Sequence, residues 1–318
     1  MTTIKNYLSL VKFSHTIFAM PFALIGFFVA MADPGMKFVL HKGASEIGEA
    51  HVPLSLFAGA KGEEALLFWK LMLIKFGLVL LCMVTARSAA MAFNRYLDRN
   101  FDAQNPRTAI REIPAGIIGA SSALRFTILN CLLFITATYF INPICFYLSP
   151  VALFVILFYS YTKRFTALCH LVLGLGLSLA PIGAYLAVTG VFAVLPVLFS
   201  FTVLFWVSGF DIIFALQDEA FDRSQGLHSI PAALGTAKAL RVSELLHLLS
   251  AACVIAAGFY GSFGWLYWVG TAGFCGMLIY QHSIVKPSDL SRVNIAFMTA
   301  NGIASVVFAV FVIADLLL

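Results

Sequence analysis

The sequence predicts an all-α integral membrane protein: nine transmembrane helices in a bundle, arranged as two four-helix halves plus a ninth helix. Three observations lead there. Apolar residues fill 61% of the 318 positions and charged residues only 11%, where soluble domains carry roughly a quarter charged. The apolar residues gather into runs near the length of about 20 that crosses a bilayer, and such runs make helices rather than barrel strands. Two widely separated segments then interrupt the apolar pattern with polar, mostly acidic residues in helical register, Asn94, Asp98 and Asp102, and Asp211, Asp218 and Asp222.

In chain order the expected spans are Phe13 to Ala32, Leu71 to Phe93, Leu124 to Ile141, Ile144 to Tyr161, Leu168 to Val188, Val191 to Phe210, Leu245 to Gly261, Phe263 to Gln281 and Ile295 to Ile313. The first carries His15, read as an interfacial histidine, and Pro21, a kink that neighbouring helices can tolerate. A long connection over 33–68 follows, expected as a partly ordered loop or surface helix. Span two runs into the first acidic stripe, and Asn105 with Pro106 ends that helix. Asn142 and Pro143 make a tight turn between spans three and four, and Thr189 and Gly190 join spans five and six. Ala232 to Glu244 has the pattern of a short amphipathic surface helix ahead of span seven.

Net charge is +5, but its distribution says more than its sum. Lys5, Lys12, Arg125, Lys163, Arg164, Lys238, Arg241, Lys286 and Arg292 fall in the N-terminal segment or after even-numbered spans, while the connections after spans three, five and seven carry no Lys or Arg. The positive-inside rule therefore places the N-terminus and both acidic segments, 94–111 and 211–231, on the cytoplasmic side. The six cysteines lie in apolar runs without CxxC spacing and read as core residues. The bilayer is the expected surroundings, with no nucleic acid and no obligatory protein partner.

At 3.6 residues per turn, the first stripe drifts only about 80° around a helix and the second covers about 40°. Ionisable groups in a membrane protein are costly enough to point to function. Two carboxylates about 6 Å apart at an effective dielectric of about 20 repel by roughly 3 kcal/mol, so something positive must sit among them. Arginines can supply it. Carboxylates with an amide, and neither His nor Cys, also make a hard oxygen site suited to Mg²⁺, which bridges a few carboxylates to phosphate oxygens. Arg87, Arg107, Lys163 and Arg223 then read as phosphate partners, and Arg87 falls two turns before Asn94 on nearly the same face.

The residues carry a family resemblance. NRYLDRNFD matches NxxxDxxxD and DIIFALQDEAFD matches DxxxxxxDxxxD, the two motifs of the UbiA superfamily of membrane aromatic prenyltransferases. NPRTAIREIPAG, YSYTKRFTALCHLVLG and QGLHSIPAALG resemble its 4-hydroxybenzoate polyprenyltransferase branch. The long 33–68 connection departs from the usually short loop of the family. The resemblance implies a helical bundle around a central cavity and transfer of a polyprenyl group from its diphosphate to an aromatic acid in quinone biosynthesis. It implies two Mg²⁺ ions bridging the diphosphate, one on Asn94, Asp98 and Asp102 and one on Asp218 and Asp222 with Asp211. By the same resemblance Arg87, Tyr159 and Lys163 match family positions around the diphosphate and acceptor, and a carboxylate of the second stripe is a candidate to take the acceptor's proton. Two other readings stay open: a menaquinone-pathway prenyltransferase acting on a naphthoate or futalosine-derived acid, and a divalent-cation transporter, which predicts acids near the bilayer midplane on broken helices.

Overall fold

The computed structural model describes residues 4–11, 18–33, 37–42, 45–51 and 63–318. Its helices are α1 (Ile4–Leu10), α2 (Met20–Ala32), α3 (Glu63–Gln104), α4 (Ala120–Ile141), α5 (Pro143–Thr162), α6 (Cys169–Thr189), α7 (Val194–Ala215), α8 (Glu219–Ser224), α9 (Ile230–Leu234), α10 (Thr236–Tyr260), α11 (Trp265–Ile284) and α12 (Asn301–Leu317). A 3₁₀ turn at Leu216–Asp218 precedes α8, and a π-helical turn at Ile295–Ala300 opens α12.

Seven helices among the described residues are long and apolar enough to cross a membrane: Leu66–Gln104, Ala120–Ile141, Pro143–Thr162, Cys169–Thr189, Val194–Ser224, Thr236–Tyr260 and Ile295–Leu317. The expected nine are not all reached on that criterion. α2 has 13 residues, and residues 12–17 ahead of it, His15 included, lie outside the described ones. α11 spans 20 residues but is not among the seven.

Two expectations change. The described part of the 33–68 connection holds strands Lys37–Lys42 and Ser45–His51, paired antiparallel from Lys37 opposite His51 to Lys42 opposite Ser45. The Phe38, Val39, Leu40 run favours a strand over the expected surface helix. Nor is Ala232 to Glu244 a separate surface helix. Gly235, at φ 78°, ends α9, and α10 then runs unbroken from Thr236 into the span.

Packing follows the small residues. A side chain at Gly26 would meet Pro181 O at 2.1 Å, and one at Gly174 would meet Leu204 O at 2.4 Å, so α2 presses on α6 and α6 on α7, backbone to backbone. Phe22, Trp206, Phe210, Phe274 and Phe308 stack between α2, α7, α11 and α12 with centroids 5.1 to 6.2 Å apart, in tilted and edge contacts of the kind aromatic rings prefer. Helices α3 to α6 form the other side, α3 packing on α4 and on α5, and α5 on α6.

Candidate functional site

The first stripe rides on the last turns of α3, which continues as one helix to Gln104 before Asn105 turns the chain. Asn94 Nδ2 donates to Asp98 Oδ2 at 3.0 Å. The second stripe follows from α7 through a break: Asp211 is helical, Asp218 ends the 3₁₀ turn, and Asp222 lies on α8.

The structure brings the two stripes together. Arg107, in the turn after α3, donates from Nε to Asp218 Oδ1 at 3.0 Å and pairs through its NH2 with Oδ2. Asn105 Nδ2 adds a bond of 3.1 Å to the same Oδ1. At the end of α5, Lys163 Nζ lies 2.7 Å from Asp222 Oδ1 and Arg164 NH2 lies 2.9 Å from Asp98 Oδ1. Neighbouring residues thus hold one acid from each stripe.

Each of the five aspartates has a basic partner. Asp102 Oδ1 accepts from Arg111 at 2.6 Å, and Asp211 Oδ2 lies 2.6 Å from His170 Nδ1. The Ile230 N–H points at His170 Nε2 at 3.3 Å, so that nitrogen accepts and the ring proton sits on Nδ1, facing Asp211. Ser229 Oγ donates to Asp222 Oδ2 at 2.9 Å. The repulsion expected among the acids is therefore answered by arginine or lysine at Asp98, Asp102, Asp218 and Asp222, and at Asp211 by the His170 N–H. For Lys163, burial pulls the ammonium pKa down, but the Asp222 charge beside it outweighs that and leaves the group above its ordinary value.

Some polar capacity is left over. Asp102 Oδ2, Arg87 Nε and Arg95 Nε are buried without a hydrogen-bond partner. An unmet buried donor or acceptor costs about 1–3 kcal/mol, so these atoms have hydrogen-bonding capacity to spare. Among the described residues no three His, Cys, Asp or Glu side chains stand close enough to enclose a metal. Mg²⁺ rarely needs such a cage, since it takes one or two carboxylates and completes its shell with water and phosphate oxygens. The donors here fit that demand: hard oxygens, one of them buried and unspent.

Behind the acids opens a cavity of about 360 Å³ among α3, α4, α5 and α6. Its walls include Val79, Phe134, Leu148, Leu177 and Ala187. Arg87 and Tyr159, both expected at the site, stand among the few polar residues that line it. Arg87 lies two turns of α3 from Asn94, and Tyr159 one turn of α5 from Lys163, so the cavity's polar end adjoins the acids. Arg223 stands apart, 60% exposed, bound to Glu219 at 3.0 Å and to Ala232 O at 3.1 Å. Sequence reasoning passed over Arg164, Asn105 and His170 as site residues. The position of Arg164 beside Lys163 was a usable signal, whereas a single histidine at a helix start gave none.

The family model described as the UbiA prenyltransferase family matches residues 54–303. A 4-hydroxybenzoate octaprenyltransferase of Nitrosospira multiformis is 30% identical over 226 residues, 71% of this chain and 78% of that protein. One of Tolumonas auensis is 30% identical over 72% of this chain and 79% of its own. Among solved structures, the apo form of a UbiA homolog from Aeropyrum pernix K1 matches with a TM-score of 0.71 and 26% identity, covering 95% of this chain and 97% of its own. A UbiA homolog from Archaeoglobus fulgidus bound to GPP and Mg²⁺ shares the fold, with a TM-score of 0.70 at 18% identity over 98% of this chain and all of its own.

Proposed function

The chain belongs to the UbiA prenyltransferase family, and from that membership we propose that it transfers a polyprenyl group from its diphosphate to 4-hydroxybenzoate in quinone biosynthesis. The observation that carries this reading is the junction of the two acidic stripes, through Arg107 and Asp218, at the polar end of an apolar cavity. A long apolar donor with an anionic head asks for that combination. The names of the relatives support the hydroxybenzoate acceptor over a naphthoate.

The tail lies in the cavity and the diphosphate among the acids and their cations. Arg87 offers its free Nε to a phosphate oxygen, and Arg107 and Lys163, already poised on aspartates, exchange part of that pairing for phosphate. Asn94, Asp98 and Asp102 would hold one Mg²⁺, and Asp218 and Asp222, with Asp211 behind them, a second. When bound, the ions take up charge on the departing diphosphate. As the C–O bond breaks, the apolar walls keep water from the allylic cation. The acceptor ring attacks at carbon, a C–C bond forms, and the ring proton passes to a carboxylate of the second stripe. Asp211 is suited to that task, because His170 fixes its orientation.

We read α2 and α11 as two further spans, making nine, with the N-terminus and both stripes on the cytoplasmic side. The transporter alternative finds no support, since the acids gather at one end of the cavity and the matching relatives are transferases. The test is to incubate the purified protein with geranyl diphosphate, Mg²⁺ and a panel of aromatic acids, with product read by mass. Prenylated 4-hydroxybenzoate is expected, and the absence of any prenylated acid overturns the reading.

A further inference from the structure

Asp102 has charged neighbours that the proposed chemistry leaves unused. Asn94, Asp98 and Asp102 step around α3 by about 40° each, and Arg95 falls about 20° beyond Asp102 in the same sense. Arg95 therefore flanks the first stripe. It is 4% exposed, and Glu112, in the turn after α3, is 8% exposed. Asp102 and Glu112 are carboxylates whose charge reaches Arg95, and Arg111 is a cation that opposes it.

Three atoms of this group are buried without a hydrogen-bond partner: Arg95 Nε, Asp102 Oδ2 and Glu112 Oε2. The other oxygens are taken. Asp102 Oδ1 accepts from Arg111 at 2.6 Å, and Glu112 Oε1 accepts from Ser9 Oγ. Ser9 belongs to α1, whose Leu10 is buried with Ala92, Ile118 and Ala123 and whose Tyr7 stacks on Phe126 at 4.8 Å. Ala92 stands three residues before Arg95, so α1 is anchored over this stretch of α3 and its serine steadies the Glu112 carboxylate.

With Oδ1 held by Arg111, Oδ2 is the Asp102 oxygen left for a metal. Arg95 is a competitor for it. A buried guanidinium without a carboxylate is costly, and a charge-assisted bond to Asp102 would relieve that cost. Glu112 supplies the counter-charge instead. We infer that Glu112 is a positioning residue for the first metal: it neutralises Arg95 and thereby leaves Asp102 Oδ2 open to Mg²⁺. The inference rests on the metal assignment above, and it gives α1 a part in the site through Ser9.

The test uses the full chain in lipid nanodiscs with geranyl diphosphate, Mn²⁺ standing in for Mg²⁺ and bound Mn²⁺ read by electron paramagnetic resonance. Glu112→Gln keeps the shape of the side chain and an oxygen for Ser9 but removes the charge. Arg95 is then expected to close on Asp102, and Mn²⁺ affinity to fall by roughly tenfold or more. Adding Arg95→Met to Glu112→Gln removes the competitor, and affinity is expected to return close to that of the wild type. Arg95→Met alone is expected to bind Mn²⁺ more tightly than the wild type, which decides the matter should Glu112→Gln fail to fold. Wild-type affinity in Glu112→Gln, a loss that Arg95→Met does not rescue, or no gain in Arg95→Met alone overturns the inference. A lowered thermal midpoint with unchanged Mn²⁺ affinity would make Glu112 structural. Should the wild-type protein bind no Mn²⁺ beside geranyl diphosphate, the metal assignment falls and this inference with it, whereas normal wild-type binding and an unresponsive Glu112→Gln overturn this inference alone.

Discussion

Arg107 grips Asp218 like a fork, Nε on one carboxylate oxygen at 3.0 Å and NH2 on the other. The pair joins the turn that follows the first acidic stripe to the middle of the second, and it is the shortest description of how the site is assembled. A two-pronged guanidinium contact carries geometry as well as charge, which a lysine cannot reproduce. Arg107→Lys is therefore expected to lose activity nearly as fully as Arg107→Ala, with kcat/KM for the donor falling about 10²-fold. Steady-state kinetics on both variants checks this, and near-wild-type activity in the lysine variant would mean that only the charge matters.

Asp98→Ala and Asp218→Ala are expected to abolish turnover while the protein still purifies as a monodisperse species, because the arginines they release, Arg164 and Arg107, are partly exposed and can be solvated. EDTA should stop the reaction and Mg²⁺ restore it. Turnover that persists in the chelator would discard the metal assignment.

Arg87 separates binding from folding. Its Nε is buried without a partner, so Arg87→Met is expected to leave the thermal midpoint in detergent unchanged or raise it. Affinity for the diphosphate donor should fall by about 1–3 kcal/mol, roughly fivefold to 150-fold. A loss of stability together with unchanged donor binding would make Arg87 structural.

The Lys163 and Asp222 pair predicts an alkaline limit. The folded pKa of Lys163 lies above its ordinary value of 10.5, so its contribution to stability is fully present below that value and is lost as pH rises through the folded pKa. In Asp222→Asn the burial cost is left without its main counterweight, and the alkaline arm of a pH–stability profile is expected to move to lower pH. Superimposable profiles would show that the pair does not govern the lysine.

Gly26 tests the packing. Its missing side chain would collide with the Pro181 backbone at 2.1 Å, which cannot rotate aside, so Gly26→Ala is expected to destabilise by about 1–3 kcal/mol. Thermal unfolding followed by tryptophan fluorescence measures it.

What could be read from the sequence was whatever repeats with a helical period. The long helices from α3 onward, the helical continuation of span two to Gln104 and the turn at Asn142 and Pro143 all follow from local pattern. The register of Asp98 with Asp102, and of Asp218 with Asp222, does too. Partner assignments do not, because a salt bridge between Arg164 and Asp98 or a hydrogen bond between His170 and Asp211 depends on how distant helices cross. Arg223 shows the same gap from the other side. It sits one residue past the second stripe, yet its helical phase turns it to Glu219 and the Ala232 carbonyl. The hairpin at 37–51 competes with a helical reading over too short a run for periodicity to decide.

Lys163 and Arg164 occupy successive backbone positions but answer to opposite halves of the molecule, one to Asp222 and the other to Asp98. A twist of that final turn of α5 cannot release one carboxylate without tugging on the other. Ligand is therefore expected to enter the two sides in a coupled way, which a double-mutant cycle of Lys163→Ala and Arg164→Ala on donor affinity would measure.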